Sequence, residues 1–368
     1  MPGGSSNRSA VRRLFRPRPQ LTYIVDNARW SFYWDGVYLV RYLQSHCGLG
    51  AQIGTDPRAI RKALLHFGNR YAYLELYYDA VHPSNKLFLT WFHGDPADTR
   101  NGYDRLFTLL RNRLDRIERV VVPCRITHEA LRSAGVPPEK LALIPLGVDL
   151  AVFTPPSGSV KQQRRAALGI PAEAYCIGSF HKDGVGWNEG DEPKLIKGPD
   201  IFVETMAALR RRHPDLFVVL TGPARGYVKN RLRTLGVPFV HHMVQHYPDL
   251  AGYYACLDAY LIPSRCEGGP KALLESWGCG VPVVATQVGM AADCIKHRCS
   301  GMAAPVDRPD LLAEYLTELR EDTALRNLIV TEARAQVRQY DWSAVARQYY
   351  DELYRPFRRW LLWRRLLP

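Results

Sequence analysis

Residues Ser264 to Glu275 read Ser-Arg-Cys-Glu-Gly-Gly-Pro-Lys-Ala-Leu-Leu-Glu, which sets two carboxylates, Glu267 and Glu275, eight positions apart astride a Gly-Gly-Pro turn. The preceding Leu257–Pro263 is a short β-rich segment, and Pro270, with its fixed φ, is predicted at the first position of a helix. Gly278 and Gly280 then stop that helix, and Val281–Ala285 begins a second apolar strand. Strand, glycine turn, helix and strand make a βαβ unit, whose ligand crevice lies beyond the carboxyl ends of its strands. Glu267 thus falls in the loop facing a ligand, and Glu275 lies one to two turns into the helix. Backbone N–H groups of the first helical turn have no partner within the helix and suit an anion. The arrangement fits a phosphorylated sugar.

Working outward, the 368 residues exceed what one hydrophobic core usually holds, so two domains of about 150 to 200 residues are expected. The composition, 46% hydrophobic and 23% charged, is that of a globular protein. No segment reaches the roughly 18 uninterrupted apolar residues of a membrane-spanning helix, and no apolar stretch follows the arginine-rich start, so a cytoplasmic location is expected. The eight cysteines, Cys47, Cys124, Cys176, Cys256, Cys266, Cys279, Cys294 and Cys299, form no Cys-x-x-Cys pair. They read as reduced thiols, not as a zinc site or a disulfide framework.

The formal charge of +13 admits nucleic acid, an anionic membrane surface or anionic substrates as partners. Five arginines lie in residues 1–20 (Arg8, Arg12, Arg13, Arg16, Arg18) and five more in 355–368 (Arg355, Arg358, Arg359, Arg364, Arg365), with no acid in either stretch. The basic residues are thus concentrated at the termini and form no stripe within a nucleic-acid module, so no nucleic-acid partner is expected. The ending Arg-Arg-Trp-Leu-Leu-Trp-Arg-Arg-Leu-Leu can lie in a lipid headgroup layer; equally, it can be a final helix packing its tryptophans on the protein itself.

Along the chain, strands at 21–25, 86–92, 120–123 and 141–145 alternate with helices at 37–44, 103–116 and 126–133, Thr127 serving as a candidate cap. Gly147–Gln163, rich in Pro, Ser and Gly, marks a linker. A second alternation follows: strands at 176–180, 216–221 and 239–242 with helices at 199–212 and 228–235. Helices at 311–319, 323–338 and 342–363 close the chain. Such alternation predicts parallel sheets covered on both faces, an α/β architecture of two Rossmann-like doubly wound domains facing a central cleft. The expected divisions are a basic arm (1–20), a first domain (21–150), a second (151–341), and closing helices with a basic aromatic tail (342–368).

Other residues can carry chemistry. Lys182 follows the first strand of the second half, and Lys197-Gly198 precedes a helix after a polar loop. Two lysines at strand ends of one sheet can clamp a diphosphate as mobile point charges, or can simply be solvated. His93, in Trp-Phe-His-Gly-Asp-Pro, can present its ring or backbone to a cleft, or can be structural. No Gly-x-x-x-x-Gly-Lys-Ser/Thr loop is present, and Gly184-Val-Gly186 lacks the context of a dinucleotide fingerprint.

Together these residues resemble the retaining glycosyltransferases of the GT-B fold, the Glu-x7-Glu group called glycosyltransferase family four or glycosyl transferases group 1. The resemblance is carried by Glu267 to Glu275, by Gly278–Ala285 with Val288-Gly289, by Leu143–Asp149, by Lys197-Gly198, and by Asp341–Ala346 at the start of helices that cross back to the first domain. It implies a hexosyltransferase-type enzyme moving a sugar from a UDP-, GDP- or ADP-linked donor to a glycan or lipid-linked acceptor, as in cell-surface polysaccharide or glycolipid synthesis. No metal and no other cofactor are expected, in keeping with the lack of an Asp-x-Asp triplet. The first domain would bind the acceptor and the second the donor. Glu275 would hold the ribose hydroxyls, and Glu267 would attend the transferred sugar. The backbone of Gly268, Gly269, Pro270 and Lys271 would cradle sugar and phosphate, Lys182 and Lys197 would neutralise the leaving diphosphate, and His93 would approach the sugar. The chain departs from many relatives, which carry an aromatic and a second glycine at Gly269 and Pro270 and a glycine pair at Gly289-Met290. A second reading is a catalytically silent nucleotide-sugar-binding or scaffold protein of the same fold.

Overall fold

In the computed structural model, residues 19–26 and 31–363 are described; Arg8, Arg12, Arg13, Arg16, Arg18, Arg364 and Arg365 lie outside them. Among the described residues twelve strands form two six-stranded sheets. The first takes β1 (Leu21–Ile24), β2 (Ala51–Gly54), β3 (Leu64–Phe67), β4 (Lys86–Thr90), β5 (Ile117–Val122) and β6 (Leu141–Leu143), in the order β2-β1-β3-β4-β5-β6. The second takes β7 (Tyr175–Ser179), β8 (Leu216–Thr221), β9 (Phe239–His242), β10 (Ala259–Ile262), β11 (Val283–Thr286) and β12 (Met302–Ala304), in the order β12-β11-β10-β7-β8-β9. Each pairing resolved strand to strand is parallel. The architecture is therefore the α/β arrangement of two Rossmann-like sheets that the alternating pattern predicts. By compactness the chain divides into two units, one holding the residues up to Thr90, Asp115–Arg119 and those from Ala346, the other Trp91–Leu114 and Val120–Val345.

In the first of these units the closing helices are tied in by a buried imidazole. His66 on β3 bonds the Tyr354 hydroxyl through Nδ1 (2.6 Å) and Thr90 Oγ1 through Nε2 (2.8 Å), and stacks on Tyr23 with ring centroids 4.9 Å apart. Burial pushes its pKa down to about 3, so it stays neutral and serves as a structural bridge. The segment expected as one helix over 342–363 is instead a helix Trp342–Tyr349, a π-turn Tyr350–Tyr354, a 3-10 turn Arg355–Phe357 and a short helix Arg358–Trp363, with Pro356 interrupting the regular ladder.

The second unit buries a core of Ile177, Leu216, Val218, Leu220, Leu261 and Val284 from the sheet against Ile201, Phe202, Met206, Leu312 and Leu316 from the helices Pro199–Arg212 and Pro309–Glu321. Strand direction matters most here. From β7 the chain steps outward to β8 and β9, then returns to pair β10 on the other side of β7 and steps outward again to β11 and β12. The carboxyl ends of β7 and β10 therefore share the switch point, where open α/β sheets bind ligands. The stretch Gly147–Gln163 is less of a linker than its composition suggests. Gly158–Ala167 is a helix, and Val148 bridges to Asp341, exchanging hydrogen bonds with Tyr340 and Trp342.

The end of β7 is braced by Arg225, fully buried, whose Nη1 donates to the carbonyls of Ser179 (2.7 Å), His181 (2.7 Å) and Thr221 (3.0 Å) while Nη2 donates to Ser179 Oγ (2.9 Å). One guanidinium thus joins β7 to β8 where strand becomes loop. Its counter-ion is the equally buried Asp183, with Oδ1 3.1 Å from Nε but out of line for a hydrogen bond. Burial raises the Asp183 pKa from 3.8 to about 6, and the Arg225 charge only partly opposes this. The folded state then holds this proton more tightly than the unfolded chain does. The contribution to stability is complete below the ordinary carboxyl value and is lost as pH rises through the raised one. Relative to Asp183→Asn, the wild-type unfolding free energy should fall between about pH 4 and about pH 7, with a slope of up to about 1.4 kcal/mol per pH unit. A gap between the two proteins that does not change with pH would show that this carboxyl does not titrate there.

Candidate functional site

Past β10 the chain runs Pro263, Ser264, Arg265, Cys266 and Glu267 into the glycine turn. Glu267 is almost covered: its Oε1 accepts from Lys197 Nζ (2.7 Å) and from Ser264 Oγ (3.0 Å), with side-chain exposures of 9% for the glutamate and 17% for the lysine. The lysine reaches it because its own turn is latched to the same loop. Arg265 and Cys266 donate backbone N–H groups to the Ile196 carbonyl (2.9 and 3.1 Å), and the Arg265 side chain holds Asp200 through two bonds (2.8 and 2.7 Å) and the Leu195 carbonyl (2.8 Å). Gly198 completes the latch at φ +65°, where a Cβ would sit 2.1 Å from the Pro263 carbonyl oxygen, so no other residue fits. Sequence spacing, seventy residues apart, carries no sign of this pair.

The turn itself is closely covered. A Cβ on Gly268 would fall 1.7 Å from the Phe92 carbonyl oxygen, and one on Gly269 would lie 2.5 Å from Leu146 Cδ1 and 3.0 Å from Met290 Sδ. Met290 N–H donates to the Gly268 carbonyl (2.8 Å). Phe92, held by Thr127 Oγ1 (2.9 Å), precedes His93, so the backbone at His93 is brought to the glycine turn; the His93 ring meets Tyr103 edge-on at 5.7 Å. Thr127 is not the predicted helix cap. That helix begins at Arg125 behind Cys124, and Thr127 lies inside it with its hydroxyl turned to Phe92. Pro270 likewise precedes the helix Lys271–Gly278 as its cap residue, in extended conformation, because its ring fixes φ while ψ turns out of the helical range. Lys271 opens the helix with Nζ 5.2 Å from the Tyr247 ring and 5.8 Å from that of Trp342.

Glu275, 4% exposed, accepts from the Tyr254 hydroxyl at 2.7 Å through Oε2 and from the Tyr247 hydroxyl through Oε1. Tyr254 packs edge-on or tilted in a cluster with Phe153, Phe180 and Tyr260, and burial next to the Glu275 charge lifts its own pKa well above 10. The two glutamates thus occupy different settings: Glu267 is paired with a cation, Glu275 with two hydroxyl donors. The tyrosines were not foreseen, because they come from the Tyr247–Asp249 turn and the Leu250–Tyr254 helix, which show no pattern of their own.

Lys182 stands at the end of β7, half-buried, with its pKa lowered by burial; its ammonium lies 4.0 Å from the centre of the Trp187 ring. It makes no ion pair with Glu267, which Lys197 already fills.

Comparison with known proteins follows from this geometry. The profile described as Glycosyl transferases group 1 matches residues 193–336, and that of Glycosyltransferase Family 4 matches residues 4–152. A D-inositol 3-phosphate glycosyltransferase of Jonesia denitrificans is 32% identical over 231 residues, covering 60% of this chain and 52% of that protein. The protein of the same name from Arthrobacter sp. (strain FB24) is 32% identical over 216 residues, covering 56% and 48%. The chain thus spans about half the length of these curated relatives. HepE of Anabaena, solved in complex with UDP and glucose, superposes with a TM-score of 0.73 at 17% identity, over 91% of this chain and 99% of that one, and shares the fold. The chain belongs to the GT-B glycosyltransferases of family four, whose two sequence profiles fall one on each half of it.

Proposed function

We propose that the protein is a retaining, metal-independent glycosyltransferase that moves a sugar from a nucleotide-diphosphate donor to a glycan or lipid-linked acceptor in the cytoplasm, for surface polysaccharide or glycolipid synthesis. The observation that carries this reading is the nearly covered Lys197–Glu267 pair at the switch point between β7 and β10, set against the Gly268-Gly269 turn. Two kinds of likeness support it: curated relatives named as D-inositol 3-phosphate glycosyltransferases, and a structural neighbour holding UDP and glucose.

In this reading the donor diphosphate lies at the ends of β7 and β10, between Lys182 and Lys197, whose charges take the place of a cation. Glu275, held in orientation by the Tyr247 and Tyr254 hydroxyls, attends the ribose hydroxyls. Glu267 is not the nucleophile, because a carboxylate bonded to an ammonium and to a hydroxyl is a poor one; it orients Lys197 and the sugar hydroxyls beside the turn. The acceptor oxygen bonds to the anomeric carbon on the face the diphosphate leaves. The bond from that carbon to the diphosphate breaks, and the departing phosphate oxygen takes the acceptor proton. Stabilising the charge on that oxygen is the main catalytic contribution. The backbone at His93 closes the sugar side.

The donor base is found by thermal shift with UDP-, GDP- and ADP-sugars, since a ligand bound only by the folded state raises the melting temperature. With that donor, Lys197→Ala should lose on the order of 100-fold or more in kcat, the scale of removing one electrostatic donor to the developing charge. Undiminished turnover would remove Lys197 from the mechanism, and wild-type protein that binds donor without turnover or hydrolysis would favour the silent binding protein. Glu275→Gln should raise the donor KM with little change in kcat, because the nucleotide does not react; unchanged donor affinity would refute the ribose role.

A membrane partner is the second element of this reading. Leu361 is buried, while Arg358, Arg359, Leu362 and Trp363 are exposed, the tryptophan at 70%, so basic and apolar groups share one outward surface. No helix among the described residues is long and apolar enough to cross a membrane, so the contact would be peripheral. Leu362→Ser with Trp363→Ser should reduce sedimentation with phosphatidylserine vesicles severalfold. Equal sedimentation would exclude this segment as the contact.

A further inference from the structure

The segment between Lys182 and Lys197 folds as a small hairpin. Lys194 N–H donates to the Asp183 carbonyl (2.7 Å), Val185 N–H to the Glu192 carbonyl (2.9 Å), and Gly184 bridges Pro193 antiparallel. The hairpin is fastened twice, to the loop after β8 and to the helix that follows it. Gly184 and Gly190 press on Ala224, where a Cβ on either would fall 2.4 Å from the Ala224 carbonyl oxygen. At the far side the carbonyls of Glu189 and Gly190 accept the first N–H groups of the helix Gly226–Thr234, while the side chains of Glu189 and Asp191 take Lys229 and Asn230, each at 3.0 Å. Between these fastenings Trp187 is 61% exposed, an unusual setting for an indole unless its face is in use. That face carries the Lys182 ammonium, 4.0 Å from the ring centre.

We propose that Trp187 is a positioning residue: the anchored hairpin holds its indole under Lys182 so that this lysine presents its charge, unneutralised, to the diphosphate of the donor. The inference rests on the donor reading above. Its logic is electrostatic. A lysine on four flexible bonds at the edge of a site that holds a carboxylate tends to fold onto that carboxylate, which offsets part of its charge. Lys197 is placed in this way, with one of its three N–H donors on Glu267. An aromatic face attracts an ammonium through its quadrupole without adding a negative charge, so it fixes Lys182 and leaves its full positive charge for a ligand.

The test uses the whole protein and calorimetric binding of UDP, GDP and ADP, with the tightest binder carried forward together with its nucleoside monophosphate. Trp187→Ala should weaken the diphosphate about fivefold, the size expected for a cation–π contact at a half-exposed site, and the monophosphate much less. Trp187→Phe should restore most of the loss, and the melting temperature should not move. In a Lys182→Ala background, adding Trp187→Ala should cost nothing further, because the two act as one unit. If Lys182→Ala weakens binding while Trp187→Ala does not, the positioning role falls and the donor site stands. If Trp187→Ala weakens monophosphate and diphosphate equally, the ring contacts the base or ribose and the inference is overturned. If Lys182→Ala is silent, or if none of the three diphosphates binds the wild type, the assignment of the diphosphate to this strand end falls, and the inference falls with it.

Discussion

Everything at the site depends on β7 and β10 lying side by side in parallel. Because the chain leaves this pair in opposite directions, the loops that follow the two strands are not carried off to flank helices on one side; they meet. The loop after β7 brings Lys182 and, after the hairpin, Lys197; the loop after β10 brings Glu267 and the glycine turn. Parallel pairing alone would leave the two loops merely near each other. Contact is enforced by the latch, in which Arg265 grips Asp200 and Gly198 lies flat on the Pro263 carbonyl. The chemistry is assembled by backbone geometry first and by charge second.

Charge is then distributed with care. Four ionic groups crowd the β7 end, and each is held in its own manner. Lys197 is paired with Glu267, Lys182 rests on an indole, and Arg225 is spent on backbone carbonyls behind the sheet edge. Asp183 is the group with the least satisfied surroundings, buried beside Arg225 without an aligned hydrogen bond, which is why its proton is held so tightly. Its place as the first residue of the hairpin gives this residue two jobs. Its backbone carbonyl closes the hairpin while its side chain balances Arg225.

Much of this was legible in the chain itself, for reasons that can be stated. The helix Pro199–Arg212 and the strands Leu216–Thr221 and Phe239–His242 have the predicted bounds, because proline, arginine clusters and β-branched runs mark them unambiguously. Strands β2 (Ala-Gln-Ile-Gly) and β12 (Met-Ala-Ala) lack the β-branched and aromatic runs that mark the others, and the π-turn at Tyr350–Tyr354 has no periodic signature. At the site, the motif residues were visible because they are close in sequence. What escaped was every partner drawn from far away: Tyr247 and Tyr254 on Glu275, Arg225 on Asp183, and Phe92 over Gly268. Spacing reports on a single element, whereas these contacts are made by the folding of separate elements onto one another.

Gly269 and Met290 lie twenty-one residues apart in sequence, and the structure makes them one feature. Gly269 carries no side chain, and the room beside it is filled by the Met290 sulfur and the Leu146 side chain. Exchanging either residue alone therefore disturbs the packing of the turn. A ring at 269 meets a sulfur already in place, and a glycine at 290 leaves a void beneath the turn.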